Sequence, residues 1–319
     1  MSSDVLVVAE HANGKITDTT YELLGKAKEL SSSLGGQAVV LLIGQPSLSA
    51  QLGAADLVIS VDGAGLADYT AEGYERVAAE QVAQRQPRVV LISTTTQGLD
   101  LAGALSAMAD APLASYVVDV AVEDAAVVTT SQIYGGNIMA EVELGGPTAI
   151  CAAIAGSFPA DAGRGDGAPN VEFVAATDAS DQRITFRALI EPDASDVDIT
   201  AADVLVAIGR GIGSKDDIEL VQELADALGA PLAASRPITD AGWLPKTRQV
   251  GKSGLTVKPR GYLMFGISGA PEHLEGMRDA ELIIACNTDE AAPIFDVAHY
   301  GTTLDLFDLL PALTEQLGG

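Results

Sequence analysis

Residues 202–229, ADVLVAIGRGIGSKDDIELVQELADALG, decide the fold of the C-terminal part of the chain. The apolar run VLVAI predicts a buried strand, and the glycines that follow it predict a tight turn. Apolar residues then recur at helical spacing, with Ser214 as the predicted N-cap and Gly229 as the predicted end of the helix. A strand that passes through a tight turn into a helix is the repeating unit of an α/β fold with a parallel sheet.

The rest of the C-terminal part continues this alternation. The runs APLAAS, GYLMFGIS and AELIIACN predict three more strands, and TTLDLFDLLPALTEQL predicts a closing helix. We therefore predict a doubly wound parallel sheet, in which ligands bind at the carboxyl ends of the strands. Four loops follow strand ends and are predicted to converge on one site: residues 209–214, 235 onward, 268–273 and 287–296.

The N-terminal part has a mixed pattern. It begins with strands that alternate with helices, which predicts a parallel sheet. From about Ser115, the runs SYVVDVAVED, AAVVTTSQIYGG, NIMAEVELGG and TAICAAIAG predict an antiparallel meander. An acidic stretch that carries a proline, EPDASDVDIT, then separates the two parts. We predict an N-terminal α/β assembly domain over residues 1–195 and a second domain over residues 196–319.

The composition excludes several classes of protein. The chain has 319 residues and a formal net charge of -26, so it lacks the basic face that a nucleic-acid binder needs. No apolar run approaches the roughly 20 residues that span a bilayer. The N-terminus carries no charged leader, so we expect neither a signal nor a transit peptide, and we expect a bacterial cytoplasm as the location.

Cys151 and Cys286 lie in apolar runs and are expected to be buried thiols. The three histidines have no metal-binding spacing.

Two glycine-rich turns are candidate phosphate sites. GRGIGS approaches the pattern G-x-G-x-x-G but has Ser214 where the third glycine belongs. It is either a simple tight turn or a turn whose N–H groups face a phosphate, with Arg210 adding positive charge. SGAPEH, from Ser268 to His273, is a second turn of this kind, in which a glycine lets the backbone approach closely before a helix begins. Two such turns in one small sheet suggest a pyrophosphate.

A basic segment in this acidic chain is a third candidate. Residues 235–261 hold six of the 18 basic residues: Arg236, Lys246, Arg248, Lys252, Lys258 and Arg260. The segment is either a solvated loop, a patch that docks an acidic neighbour, or one wall of a nucleotide crevice. In the third case Arg236 is expected to stack on a planar, electron-accepting ring.

Three segments closely resemble the C-terminal FAD domain of the electron-transfer flavoprotein alpha subunit. They are SRPITDAGWLPKTRQVGKSG, YLMFGISGAPEHLEGM and NTDEAAPIFDVAHYGTTLDLFDLLPALTEQL. The resemblance covers roughly residues 200–319 in consistent order and spacing, whereas the N-terminal part fits less specifically. The resemblance implies a doubly wound FAD-binding domain and an electron carrier, not a catalyst with its own substrate.

The resemblance also implies roles for individual residues. Arg236, after Ser235, would lie over the isoalloxazine, Ser253 would approach its N5 edge, and His273 would contact its pyrimidine carbonyl. The phosphates would be held by Arg210, Ser268, Gly269 and Ala270, the adenosine half by Asn287 and Asp305, and the pocket would be lined by Val250, Gly251 and Lys252. Pro271, Glu272 and Leu306 complete the predicted site. Lys252 and Glu272 depart from the family pattern, which often has glutamine at both positions.

The implied partners follow from the same family. They are a beta subunit that forms a heterodimer and carries AMP, dehydrogenases of the acyl-CoA type as donors, as in fatty-acid β-oxidation, and a membrane quinone oxidoreductase as acceptor. Two alternatives stay open: an NAD(P)-dependent Rossmann-type oxidoreductase, and a nucleotide-binding assembly module without redox function. Four basic residues match no family position and are expected to serve loop packing or subunit contact: Lys246, Arg248, Lys258 and Arg260.

Overall fold

The computed structural model describes residues 2–134, 136, 138–176, 182–188 and 197–317. The chain divides into two compact units, Met1–Ala188 and Leu189–Gly319. The predicted domain boundary at residues 195 and 196 lies outside the described residues, so its position stays a prediction.

The first unit contains eleven strands and three longer helices among its described residues. The strands are β1 Val5–Val8, β2 His11–Ala12, β3 Lys15–Ile16, β4 Ala38–Ile43, β5 Leu57–Asp62, β6 Val89–Ser93, β7 Leu113–Glu123, β8 Ala126–Ile133, β9 Ile138–Leu144, β10 Ala149–Ala153 and β11 Val171–Ala175. The helices are α1 Asp18–Leu34, α2 Ala71–Arg85 and α3 Thr96–Ala109. The strands β2 and β3 form a small antiparallel pair.

The other nine strands form one sheet in the order β11-β5-β4-β1-β6-β10-β7-β8-β9. All neighbouring pairs are parallel except β7–β8 and β8–β9, which form the predicted antiparallel meander. The meander prediction is wrong for TAICAAIAG, because β10 lies between β6 and β7 and is parallel to both. All five residues of β10 are buried, and a strand without a polar face needs a position covered on both sides.

Helices cover both faces of this sheet. Alternate residues of β1 point to opposite faces, so Val5 and Val7 pack with Leu24 of α1 on one side. Leu6 and Val8 pack with Tyr74 of α2 and with α3 on the other side. The first unit is therefore a doubly wound α/β structure with an antiparallel extension.

The second unit is a five-stranded parallel sheet in the order β13-β12-β14-β15-β16. Its strands are β12 Val204–Ile208, β13 Leu232–Ala234, β14 Gly261–Phe265, β15 Leu282–Cys286 and β16 Tyr300–Thr302. Its helices are α4 Ile218–Leu228, α5 Arg236–Asp240, α6 Pro271–Leu274 and α7 Leu306–Leu317. Apolar cores lie on both faces of the sheet, which confirms the predicted doubly wound fold. The strand order reverses between β12 and β14, where such sheets bind their ligands.

The helix α4 begins later than its sequence predicts. Ser214 is not the N-cap, because its hydroxyl and its N–H both donate to the Asp217 carboxylate, at 2.6 and 3.0 Å, and hold the turn outside the helix. The first helical residue is Ile218. The predicted end is confirmed: Gly229 has φ 61° and its N–H donates to the carbonyl oxygens of the last turn.

The two cysteines lie where the sequence predicts. Cys151 is on β10 and Cys286 is on β15, and both are buried free thiols. Burial raises the pKa of the Cys151 thiol to about 12, so this group is an inert part of the core.

Candidate functional site

The glycine-rich turns after β12 and β14 pack directly against each other where the strand order reverses. The Gly211 N–H donates to the Gly266 carbonyl oxygen at 3.1 Å, and the Gly209 N–H donates to the Phe265 carbonyl oxygen at 3.0 Å. A Cβ atom on Gly209 would lie 2.3 Å from the Gly266 oxygen. Only glycine permits this approach, so the main structural role of Gly209, Gly211 and Gly266 is to let the two turns pack together.

The turn after β14 leaves polar groups at the surface. Ser268 and Ala270 are exposed, and Gly269 between them is buried. Gly269 has φ +87°, and a Cβ atom there would lie 2.3 Å from the Ile294 nitrogen, which donates to the Ser268 carbonyl oxygen. Arg210, at the end of β12, is also exposed. The predicted phosphate-binding residues therefore share the carboxyl edge of neighbouring strands.

The basic segment begins at the same edge. Ser235 follows β13, is buried, and donates its N–H to the Ile208 carbonyl oxygen at 2.9 Å. Arg236 opens α5 with an exposed side chain, and its Nε donates to Asp240 Oδ2 at 3.1 Å. Both side chains of this pair are more than half exposed, and ion pairs in that setting contribute little in water. The guanidinium is therefore available to a ligand at little cost.

The loop from Gln249 to Gly254 continues the basic segment along this edge of the sheet. The Val250 N–H donates to the Ala234 carbonyl oxygen at 2.9 Å, which sets the loop beside β13. Gly251 has φ +131°, and the Lys252 N–H donates to the Glu272 carbonyl oxygen at 2.7 Å. The backbone of the loop is thus fastened to the start of α6, while the Lys252 and Ser253 side chains are exposed.

A buried polar network supports this loop, and sequence reasoning missed it. The Thr239 hydroxyl lies 2.7 Å from Gln249 Oε1, and Gln249 Nε2 donates to the Ser253 hydroxyl at 2.9 Å. Thr239 and Gln249 are buried, whereas Ser253 is exposed. A polar glutamine in a glycine-punctuated loop was the available signal, but only the fold shows its two partners.

His273 is held entirely by its own domain. Its Nδ1 lies 3.1 Å from the Val250 carbonyl oxygen, and its Nε2 lies 3.3 Å from the Tyr262 hydroxyl. Because a carbonyl only accepts, Nδ1 carries the proton and Nε2 accepts from Tyr262, whose pKa is raised by burial. Burial also lowers the His273 pKa to about 4, so the ring is neutral at pH 7. Its predicted contact with a flavin carbonyl stays a prediction, and that contact requires a ring nitrogen to exchange partners.

The residues predicted to hold an adenosine half lie at the ends of β15 and β16. Asn287 donates from Nδ2 to the Ile267 carbonyl oxygen at 2.9 Å, which joins the β15 loop to the β14 loop. Asp305 accepts from the Phe307 N–H at 3.0 Å at the start of α7. Leu306 is buried in the core against α4. Asn287 and Asp305 therefore shape the edge, and the Leu306 side chain is turned into the core.

Two of the remaining four basic residues of the segment have partners within the second unit, and two are exposed at its surface. Arg248 donates to the Leu232 carbonyl oxygen at 3.0 Å, and Lys258 pairs with Asp279 at 3.1 Å. These two contribute to loop packing. Lys246 is exposed, as is Arg260 beside β14.

The first unit closes its equivalent edge with one of its own side chains. Glu10 follows β1, and its Oε1 accepts from the Ser93 and Thr95 hydroxyls, both at 2.6 Å. Thr95 also caps α3 by accepting from the Gly98 N–H. Burial raises the pKa of Glu10. The carboxyl group thus lies where the order of that sheet reverses and beside the start of α3.

The exposed groups of the second unit suit a dinucleotide with a planar ring. Two guanidinium groups, an ammonium group and two hydroxyl groups lie on loops that join at one sheet edge: Arg210, Arg236, Lys252, Ser253 and Ser268. Within the described part of the chain, no three acidic, histidine or cysteine side chains are grouped so as to hold a metal ion. The fold and this edge define a doubly wound nucleotide-binding domain.

Comparison with known proteins identifies the family. Residues 198–278 match the family model described as the electron transfer flavoprotein FAD-binding domain, and residues 5–179 match the electron transfer flavoprotein domain. The chain is 36% identical to the electron transfer flavoprotein subunit alpha of Methylophilus methylotrophus, over 99% of both chains. It is 34% identical to that of Thermoanaerobacterium thermosaccharolyticum, over 98% of this chain and 97% of the relative. It is 33% identical to the electron transfer flavoprotein subunit alpha of Bacillus subtilis, over 99% of this chain and 98% of the relative.

The chain belongs to the electron transfer flavoprotein alpha-subunit family. This confirms the resemblance seen in the sequence, and it supports an FAD-binding domain and a general role in electron transfer. The comparisons give the NAD(P)-dependent alternative no support. Searched over its described residues, the structure contains no helix that is both long and apolar enough to cross a membrane.

Proposed function

We propose that this chain is the alpha subunit of a heterodimeric electron carrier of the bacterial cytoplasm. It binds FAD at the carboxyl edge of the five-stranded sheet. It takes electrons from dehydrogenases of the acyl-CoA type, as in fatty-acid β-oxidation, and delivers them to a membrane quinone oxidoreductase. The observation that carries the proposal is that the segments resembling the family lie at one edge of the sheet. Cationic and hydroxyl side chains are exposed there, beside close-packed glycine turns.

The chain's own residues would bind and orient the cofactor. FAD supplies a ring that accepts and releases electrons, so the protein needs no nucleophile or metal. Arg210, Ser268 and the turn that follows Ser268 would hold the pyrophosphate through N–H groups and positive charge. Arg236 would place its guanidinium against the ring, where a positive charge favours the reduced form. Ser253 would direct its hydroxyl at the ring edge.

The two departures from the family pattern bring opposite charges to the same place. The Lys252 ammonium lies 3.7 Å from the Glu275 carboxylate, and Glu272 is exposed at the start of α6. The positive charge of Lys252 and the negative charge of Glu272 would therefore offset one another in the electric field at a bound ring. The ring would then depend mainly on Arg236 for a nearby positive charge.

The first test is the presence of the cofactor. Purified together with its beta subunit, the protein is expected to absorb near ~450 nm, as oxidised flavins do, and to release FAD when denatured. The beta subunit is expected to carry AMP. A heterodimer that is colourless and cannot be reconstituted with FAD would overturn the proposal.

The antiparallel extension of the first unit is a candidate surface for the beta subunit. Ile133, Ile138 and Val142 are between 39% and 49% exposed, and Tyr134 at the hairpin is 76% exposed. Residues 113–144 include five acidic residues and neither lysine nor arginine. An apolar patch on a sheet edge favours association, and its acidic surroundings favour a partner surface with complementary cations. We propose that the beta subunit packs here.

Substitution at this edge tests the subunit contact. Ile138→Asp is expected to weaken the heterodimer by at least about tenfold, because it would bury a charge in an apolar interface. Phe173→Asp is the matched control, since Phe173 is 71% exposed on β11 at the opposite edge of the same sheet. Analytical ultracentrifugation of both variants with the beta subunit measures the effect. Weakening by the Phe173 change alone would place the contact elsewhere.

A further inference from the structure

The Thr239 side chain has more acceptors than it can serve. Its Oγ1 lies 2.7 Å from Gln249 Oε1 and 3.0 Å from the Arg236 carbonyl oxygen, yet a hydroxyl has only one hydrogen to donate. Thr239 and Gln249 are 7% and 3% exposed, so bulk water does not supply the missing hydrogen. The hydrogen of Thr239 therefore has two alternative positions, and each imposes a different arrangement on Gln249.

In the first arrangement Thr239 donates to Gln249 Oε1. The amide nitrogen of Gln249 then faces Ser253 and donates to its hydroxyl oxygen, at 2.9 Å. Because that oxygen already accepts, the hydroxyl hydrogen of Ser253 points away from Gln249 and toward the exposed side of the loop. Ser253 is then a hydrogen-bond donor to whatever lies at the edge of the sheet.

In the second arrangement Thr239 donates to the Arg236 carbonyl oxygen. A half-turn of the Gln249 carboxamide exchanges its oxygen and nitrogen, which are nearly equal in size and position. The amide nitrogen then donates to Thr239 Oγ1, and the hydroxyl of Ser253 donates to the Gln249 oxygen. Ser253 now presents lone pairs to the edge and is a hydrogen-bond acceptor. The same heavy atoms serve both arrangements.

We propose that Gln249 is a positioning residue whose half-turn, coupled to Thr239, switches the Ser253 hydroxyl between donor and acceptor toward the bound flavin. The inference rests on the proposed function, because it takes Ser253 to face the N5 edge of the ring. That nitrogen accepts a hydrogen bond in the oxidised ring and carries a hydrogen in the fully reduced ring. A hydroxyl that can only donate or only accept matches one of these states. The coupled rearrangement of Thr239, Gln249 and Ser253, which we call the relay, lets one side chain match both.

The relay is neutral, which suits a carrier. Thr239, Gln249 and Ser253 have no charge in either arrangement, so the switch places no buried charge beside the ring and needs no proton from solvent. The three side chains are also connected to Arg236, because the second acceptor of Thr239 is the Arg236 carbonyl oxygen. The polarity of Ser253 is thus linked to the helix turn that carries Arg236.

Infrared difference spectroscopy of the FAD-loaded heterodimer tests the switch directly. Glutamine labelled at the side-chain carbonyl carbon is expected to give a band that shifts on reduction of the flavin. The shift should vanish in Gln249→Met and in Ser253→Ala, and it should persist in Gln222→Met, which alters an exposed glutamine of α4. No labelled band shift in the wild-type heterodimer, or a shift that survives Ser253→Ala, would overturn the inference. Failure of the wild type to load FAD would instead overturn the proposed function.

Reduction potentials give a second, independent measurement. Gln249→Met is expected to change the ratio of reduced to oxidised flavin at a given potential by about fivefold to tenfold, the effect of one hydrogen bond. In the Ser253→Ala background the same change should have no effect on that ratio, because Gln249 acts through Ser253. Equal effects in the two backgrounds would show a merely structural role and contradict the relay.

Discussion

Replacing Gly266 with alanine is expected to lower the free energy of unfolding of the second unit by about 2–5 kcal/mol, the sum of backbone strain and overpacking. Gly266 has φ +66°, a conformation that side chains with a Cβ atom rarely adopt. The added methyl group would lie 2.7 Å from the Gly211 Cα atom and 2.8 Å from its carbonyl carbon. Both contacts are with backbone, so neither can be relieved by a rotamer change. Separation of the two turns should also reduce FAD loading.

The measurement is urea unfolding monitored by tryptophan fluorescence. The chain has a single tryptophan, Trp243, which is half-buried against the core of the second unit and therefore reports on that unit. Gly261→Ala is the control at the other end of the same strand, where the new methyl group would meet Val204 at 3.6 Å, an ordinary contact. It should change stability by less than about 1 kcal/mol. Similar losses in the two variants would contradict the packing argument.

Acid is expected to destabilise the second unit through His273 by about 3 kcal/mol. The pKa of the folded ring is lowered to about 4 by burial, whereas an unfolded histidine titrates near ~6.5. Between these values the unfolded state binds the proton more readily, so stability falls as the pH is lowered from about 6.5 to about 4. Above about pH 6.5 both states are neutral, and His273 adds no pH dependence.

The His273 contribution appears as a difference between pH profiles. Stability measured with Trp243 at pH 7 and at pH 4.5 should fall less in His273→Gln than in the wild type, because both proteins share the same carboxylates. His273→Gln should also be less stable at pH 7, since Val250 and Tyr262 lose a partner. Parallel profiles for wild type and His273→Gln would refute the assignment.

Local sequence predicted four of the five described strands of the second unit, because each of the four is a short, largely apolar run between turn residues. It missed β16, Tyr300–Thr302, because this strand is mostly exposed and forms no apolar run. The run VLVAI is β12, and the predicted strands at APLAAS, GYLMFGIS and AELIIACN are β13, β14 and β15. The start of α4 was predicted too early because Ser214 has the right side chain for a cap. Its hydrogen bonds go to Asp217 instead, and that preference depends on the turn geometry set by Gly213 at φ +90°.

Site residues were predictable only as types and positions in loops. That Arg210, Arg236, Ser253 and Ser268 follow strand ends can be deduced from the pattern, because parallel strands place their carboxyl ends at one edge. The supporting partners were not predictable. Gln249 joins residues ten positions before it and four after it, and Tyr262 on β14 contacts His273 on α6.

The sequence by itself determined that the chain has two α/β parts, that its loops converge at the carboxyl edge of the second sheet, and that it belongs to a flavoprotein family. Periodicity and ordered motifs carry that information because they report which residues are buried and which turns the backbone can make. Only the tertiary structure decided the strand order that joins the β12 and β14 turns, the place of β10 inside the first sheet, and the partners of His273 and Gln249. These features are contacts between separate elements and loops, and such contacts depend on how the elements pack, which no local pattern encodes.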